Sequence, residues 1–337
     1  MIKYSKRLLL ANALSLVGCG LISYFVNRKL LFVFNYHRIR PNMNSAGFIF
    51  DDGVYGPNLD QFTKQLEFLQ KHTTVLCEND LIKLLAGDMR GKGPYSVVTF
   101  DDAYIDNYNL ALPELKKMGI PAIFFVPALL VENREVGWWD KIAYIIKKTN
   151  KTNISFGGKN IQIKGNRHAT IRHLQSIVKT NSTINLDDFI NELEIKADSV
   201  SPSSKQGLME KELMNWEQII EAHEAGIGIG SHTSSHRILS SLDKEEQAKE
   251  IIGSKIYLEE KLGIKIKSLA FPVGGPNHFD KITLELSEKA GYDLAFSFNN
   301  GGAVRYSGIN RFNISRLSAP QDLKLFKAMV HFPSIMV

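Results

Sequence analysis

The chain has 337 residues, of which 44% are hydrophobic and 23% charged, enough apolar material for a large core and too much for global disorder. Its 41 basic and 35 acidic residues leave a net charge of 41 − 35 = +6 and a pI near 9.0. This mild excess suits anionic surfaces such as phospholipid or acidic glycan. No run joins a dense basic patch to interleaved aromatics, so nucleic acid is not an expected partner. Two cysteines, Cys19 and Cys77, exclude a disulfide framework and a zinc knuckle.

The chain starts with the basic MIKYSKR, and Leu8–Val26 then carries no charge over 19 residues, about the length of a membrane span. LVGC at Leu16–Cys19 resembles a bacterial lipoprotein cleavage box. Against a span, Asn12, Ser15, Cys19, Ser23 and Asn27 recur at helical spacing, and the next strand starts at Leu30. The three residues between, NRK, reach only ~10 Å. Residues 1–29 therefore read as an N-terminal hydrophobic helix. It is either amphipathic, packed on the domain or lying on a membrane, or a signal or signal-anchor. Membrane association through residues 8–26 and a cell-envelope location are the expectation, with a cytoplasmic location as the alternative.

KLLFVFNYHRI (Lys29–Ile39), apolar and β-branched or aromatic between polar residues, reads as a buried strand. LDQFTKQLEFLQKH sets Leu59, Phe62, Leu66 and Leu69 on one helical face. TTVLCE is a short strand, and NDLIKLLAG a helix capped by Asn79 and stopped by Gly87. YSVVTF, a helix through NLALPELKKMG, and IPAIFFV make a strand–helix–strand unit, which implies parallel strands. Residues 141–204 read as an insertion: an amphipathic helix DKIAYIIKK, a hairpin ISFGGKNIQI turning at Gly-Gly, and two polar-faced helices. The alternation then resumes with NWEQIIEAHEAG, IGIGSH, the helix of residues 243–263, IKSLAFP, KITLELSEKAG and YDLAFSF. Residues 30–337 are thus expected to be one α/β domain with parallel strands, most economically a barrel.

Two sites pair adjacent aspartates, FIFDDG at Phe48–Gly53 and VTFDDA at Val98–Ala103. The first lies in a Gly/Asn/Pro-rich stretch with no strand lead-in, which reads as a turn with solvated carboxylates at Asp51 and Asp52. The second, Asp101 and Asp102, follows an apolar strand and precedes a helix. That puts it at the carboxyl rim where α/β barrels gather catalytic groups. Another strand end brings GSHTSSHRI. On the first turn of a helix, His232 and His236 would point to one side. Two imidazoles and one carboxylate suit a divalent transition metal, and the other carboxylate of the pair can then serve as a base. The cation also relieves the repulsion within the pair.

VVTFDDAYIDNY, GSHTSSHRILSSL and LAFPVGG, in this order, resemble the polysaccharide deacetylases of the NodB-homology type, carbohydrate esterase family 4. The resemblance runs from about Leu31 to Leu317, with the 141–204 insertion outside the motifs. It implies a distorted (β/α) barrel. It also implies a hydrolase that removes N-acetyl groups from N-acetylhexosamine units of a bacterial-type surface polysaccharide. By the same resemblance Asp101 is the catalytic base, and Asp102, His232 and His236 bind the metal, usually zinc. Pro272 and Val273 line the groove, with the Val273 N–H in the oxyanion hole.

NYHRI resembles the Tyr-His strand of exopolysaccharide N-deacetylases with circularly permuted motifs, which makes His37 the general acid. His331 in MVHFP fits no motif. Ala103 stands for the motif glycine. Ala270 stands where many members carry the arginine that orients the base, a role Arg316 can fill. Val273 replaces an aromatic, and Trp138 and Trp139 can supply sugar stacking in its place, with core packing as the alternative for at least one of them. Rival readings are an O-acetyl esterase, a non-catalytic glycan-binding protein and a non-haem iron oxygenase. The oxygenase would have no use for Asp101.

Overall fold

The computed structural model describes residues 27–41, 48–89, 91, 93–202, 208, 211–299 and 303–333. The expected helix of residues 8–26, Cys19 and the cleavage-box resemblance lie outside the described residues. Among the described residues, no helix is long and apolar enough to cross a membrane.

Seven strands lie side by side in chain order: β1 (Leu30–Tyr36), β2 (Tyr95–Phe100), β3 (Ile123–Val126), β4 (Gly228–Ser231), β5 (Ser268–Ala270), β6 (Leu294–Ser297) and β7 (Ile314–Ser315). Every neighbouring pair among them is parallel. Directly after β7, Leu317–Ser318 pairs in parallel with Phe34 and Asn35 of β1, so the first and last strands share one short segment and the sheet nearly closes. Arg316 sits at that closure, its backbone N–H bonded to Ser297 O at 3.0 Å.

Strands buried on both faces read as unbroken apolar runs, which is why YSVVTF is buried at all six positions. Alternate residues of β1 face opposite ways. Phe32, Phe34 and Tyr36 join a cluster with Phe62, Leu66 and Leu69 of the helix Leu59–His72. Leu31 and Val33 meet Phe125, Phe296 and Ile314 from strands that are not their neighbours, so these side chains fill the lumen.

Several helices differ from their sequence outline. The helix Glu78–Ala86 starts after Cys77 rather than Asn79, because the strand pairing ends at Leu76, whose N–H bonds Ser96 O. Gly87 stops it at φ +84°, as the sequence predicts. The segment before Leu112–Met118 winds as a π turn over Asn107–Ala111, next to Pro113, which has no N–H for the regular ladder.

The inserted region holds a helix Trp138–Lys148, a hairpin of Asn153–Phe156 and Lys159–Gln162 with Gly157 and Gly158 at positive φ, and the helices Arg167–Thr180 and Leu186–Ala197. Ile142, Ile146, Phe156, Leu174 and Leu193 form its core, which continues into Tyr104, Leu213 and Ile238 of the barrel's rim loops. The insertion thereby packs against the carboxyl end of the barrel.

A candidate metal and hydrolytic site at the barrel rim

Each parallel strand ends at the same rim, and residues that follow six of the seven line one cavity of about 390 Å³. His37 follows β1, Asp101 and Asp102 follow β2, and His232 with His236 follow β4. Val273 follows β5, Phe298 follows β6, and Arg316 and Ser318 follow β7. The insertion adds Trp138, Trp139, Arg172, Gln175 and Lys179.

The rim is strained. Among the described residues seven non-glycine residues have positive φ, and five of them are Asp102 (72°), Ala103 (54°), Thr233 (64°), His236 (60°) and Val273 (59°). Such conformations are costly and persist where the surroundings force them. Ala103 therefore keeps the left-handed turn that a glycine would adopt freely. His232 and His236 are not on a helix, contrary to the sequence expectation. The left-handed Thr233 and His236 make a tight loop that brings the imidazoles together, with ring centroids 4.7 Å apart.

Asp101 is 2% exposed and tightly held. Arg316 Nη1 donates to its Oδ1 at 2.7 Å and Asn35 Nδ2 to its Oδ2 at 2.9 Å. Burial alone would raise its pKa, but the charge of Arg316, helped by His232 and His37, holds the carboxyl well below the usual carboxylate range. Asp102 is the opposite case. Burial, then the charges of Asp101 and Asp140, push its pKa well up, and its Oδ1 has no hydrogen-bond partner.

That orphan oxygen faces His232 Nε2 at 3.6 Å and His236 Nε2 at 3.5 Å. His232 Nδ1 lies 2.8 Å from Ala270 O, so it carries the proton and leaves the Nε2 lone pair pointing at Asp102. Burial lowers the pKa of both histidines, His236 further through His232, which keeps them neutral as ligands must be. One atom from each of the three residues lies within 4.8 Å of the others. A buried carboxylate oxygen without a donor, facing the Nε2 atoms of two imidazoles, fits a divalent cation.

Other expected residues fall into place or are corrected. His37 Nε2 is 3.9 Å from Asp101 Oδ2, with 32% of its side chain exposed. His331 does not line the cavity and stands on the helix Leu323–His331 against Phe68 and His72. Pro272 is buried and does not line the cavity, because the left-handed turn at Val273 and Gly274 sends Val273 toward it instead. Arg316, 1% exposed, binds Asp101 and Asn35 rather than offering itself to substrate. Trp139 gives its indole N–H to Tyr104 and packs its ring 4.3 Å from His236, so it is a wall of the ligand site and not an open stacking surface. Asp51 is not solvated: it is 9% exposed and lines the cavity, whereas Asp52 pairs with Lys147 at 3.0 Å.

The sequence reading missed Asn35, Tyr104, Asp140 and Gln175. Asn35 had a signal, a polar residue inside an apolar strand that must be paired when buried. Asp140 looks like an ordinary acid in a helix's first turn. In the structure it accepts from Tyr104 Oη at 2.7 Å and Asp51 N at 2.8 Å, and burial pushes its pKa up to about 7.

Fold and site together define a parallel α/β barrel with a carboxylate–dihistidine centre and a second, locked carboxylate beside it. The chain belongs to the polysaccharide deacetylase family, whose sequence profile matches residues 88–295. YxkH of Bacillus subtilis (strain 168), which is named for this family, is 24% identical over 247 residues. The match covers 73% of this chain and 60% of that relative's length.

IcaB from Ammonifex degensii superposes with a TM-score of 0.56 at 20% identity, covering 90% of this chain and 97% of that one. The Streptococcus pyogenes deacetylase PplD, in complex with acetate, gives 0.56 at 18% identity, covering 87% and 93%. The deacetylase domain of BpsB from Bordetella bronchiseptica gives 0.52 at 14%, covering 86% and 96%. At these identities the likeness is one of fold.

Proposed function

We propose that this chain is a metal-dependent hydrolase that removes N-acetyl groups from N-acetylhexosamine units of a bacterial-type surface polysaccharide. The observation that carries the reading is the contrast within one aspartate pair. Asp102 is buried, with an Oδ1 that accepts no hydrogen bond and is turned to two imidazoles, while Asp101 is kept ionised by Arg316. Asp102, His232 and His236 hold the divalent ion, and their donor set favours zinc. When bound, the ion supplies a Lewis acid for the acetamide carbonyl and lowers the pKa of water at the site.

Asp101 takes the proton of the attacking water. The Val273 N–H donates to the developing oxyanion. His37 protonates the leaving nitrogen. Burial lowers its pKa to about 4 against the pull of Asp101, so the imidazole rests neutral at neutral pH. Its Nε2 lies 3.9 Å from Asp101 Oδ2, so the proton that Asp101 takes reaches it by way of an intervening water or the substrate nitrogen. A C–O bond forms, the C–N bond breaks, and acetate and the free amine leave.

We propose a cell-envelope location, where a substrate of this kind would be met, with residues 8–26 as the means of membrane association, which cell fractionation tests. The central test is acetate release from a panel of N- and O-acetylated glycans with and without chelator. Release from N-acetylated glycans that stops with chelator is the expected result. Release only from O-acetylated glycans, or release indifferent to chelator, overturns the reading.

A further inference from the structure

We infer that Asp51, oriented by Gln175, is a hydroxyl-binding subsite that positions the sugar in the cavity; the inference rests on the deacetylase reading above. Asp51 belongs to the aspartate pair that the hydrolytic chemistry leaves unused. Its carboxylate lines the same cavity as Asp101, His232 and Trp138. Oδ1 accepts the Gly53 N–H at 2.9 Å and Oδ2 accepts Gln175 Nε2 at 2.9 Å. A carboxylate has about four acceptor sites. One bond on each oxygen leaves capacity for a donor that enters the cavity.

The group is also built to stay where it is. Gln175 Nε2 is braced by Trp139 O at 3.2 Å, and the Asp51 N–H is tied to Asp140 Oδ1. Lys147 Nζ clamps the same loop through Phe48 O at 2.9 Å and Phe50 O at 2.5 Å. A loop of Gly/Asn/Pro character is thus fixed from two helices of the insertion, with its carboxylate edge in the cavity wall. A preorganised acceptor of this kind binds without a further ordering cost.

The ligand group is a neutral donor. No histidine or cysteine joins Asp51 in a metal-ligating group among the described residues. Lys179, whose charge interacts with that of Asp51, and Arg172 line the same cavity, so an incoming ammonium would meet cations already there. A sugar hydroxyl meets neither obstacle.

The test is calorimetric binding of N-acetylated hexosamine oligosaccharides of differing linkage. It compares Asp101→Asn, which binds without turnover, with the double variant Asp101→Asn, Asp51→Asn. Losing a hydrogen bond to a charged acceptor should weaken binding by about 10–100-fold. The lost buried hydrogen bond should lower the melting temperature by only a few degrees, so the protein stays folded at the assay temperature and a merely structural role would leave its affinity unchanged. Asp52→Asn in the same background should bind as before, since Asp52 faces Lys147 and lies outside the cavity lining. Should Asp51→Asn fail to fold, Asp51→Glu, which moves the oxygens by one methylene, is judged by the same affinity loss. Unchanged affinity, together with acetate release by the unaltered chain from the same panel, overturns the subsite alone. Neither binding nor release across the panel overturns the subsite and the deacetylase reading together.

Discussion

Arg316→Gln removes the cation that locks Asp101. The guanidinium is 1% exposed and reaches Asp101 Oδ1 at 2.7 Å and Asn35 Oδ1 at 3.0 Å, across the seam where β7 gives way to the segment paired with β1. Removing one partner of a buried ion pair costs about 3–5 kcal/mol. At about 2.1 cal/mol/K of unfolding entropy per residue, a domain of about 300 residues loses about 1.5 °C of melting temperature per kcal/mol, which gives roughly 5–8 °C at neutral pH.

The sign of the pH dependence follows from the direction of the shift. In the unaltered protein the Asp101 pKa lies below its unfolded value of about 3.9, so the stabilisation is fully present above that pH and fades only as pH falls through the lower folded value. Without Arg316, burial beside Asp102 dominates and the carboxyl rises above its unfolded value. A raised acid destabilises the fold more as pH increases. Arg316 also disfavours protonation of His37 and His232, so its loss acts on them in the same direction. The gap in melting temperature between the two proteins, both in chelator, should be widest near neutral pH and narrow toward about pH 4. The acid limb of kcat/KM should move to higher pH. A gap that stays constant or widens on acidification refutes the reasoning.

His236→Ala should lose bound metal and activity together, whereas Asp101→Asn should lose turnover and keep its metal; stoichiometric metal in purified His236→Ala, by elemental analysis, would reject the ligand set. His37→Ala should cut amide turnover by about 10²–10⁴-fold with metal content unchanged. An aryl acetate should suffer much less, because its leaving group needs no proton, so an unchanged amide-to-ester ratio would remove His37 from the acid role. Gly137→Ala tests the wall behind the ligands. A Cβ at Gly137 would land on the Trp139 ring, which packs on His236 and bonds Tyr104. Displacing it should weaken metal binding by about 10-fold in competition with a chromogenic chelator, and an unaltered affinity would show that Trp139 does not hold His236 in place.

Much of this protein is legible in its sequence because the signals are local. The apolar runs at Leu30–Tyr36 and Tyr95–Phe100, separated by helical periodicity, announce parallel strands. Asp101, Asp102, His232 and His236 stand next to strand ends, and in a parallel barrel adjacency to a strand end is itself a tertiary coordinate, since all those ends share one rim. Chain order being spatial order, motifs far apart in sequence converge without further information.

Tertiary structure alone decided what each acid became. Asp51 and Asp101 sit in near-identical FDD contexts. One is oriented by Gln175, 124 residues away, and the other is ionised by Arg316, 215 residues away. The pKa of a carboxyl depends on burial and on charges within a few ångströms, and sequence spacing does not encode either across such separations. The loop between His232 and His236 escaped for a related reason. Its spacing of four matches a helical turn, but the left-handed backbone at Thr233 and His236 is imposed by the packing of the rim; a histidine favours it only weakly and a β-branched threonine disfavours it.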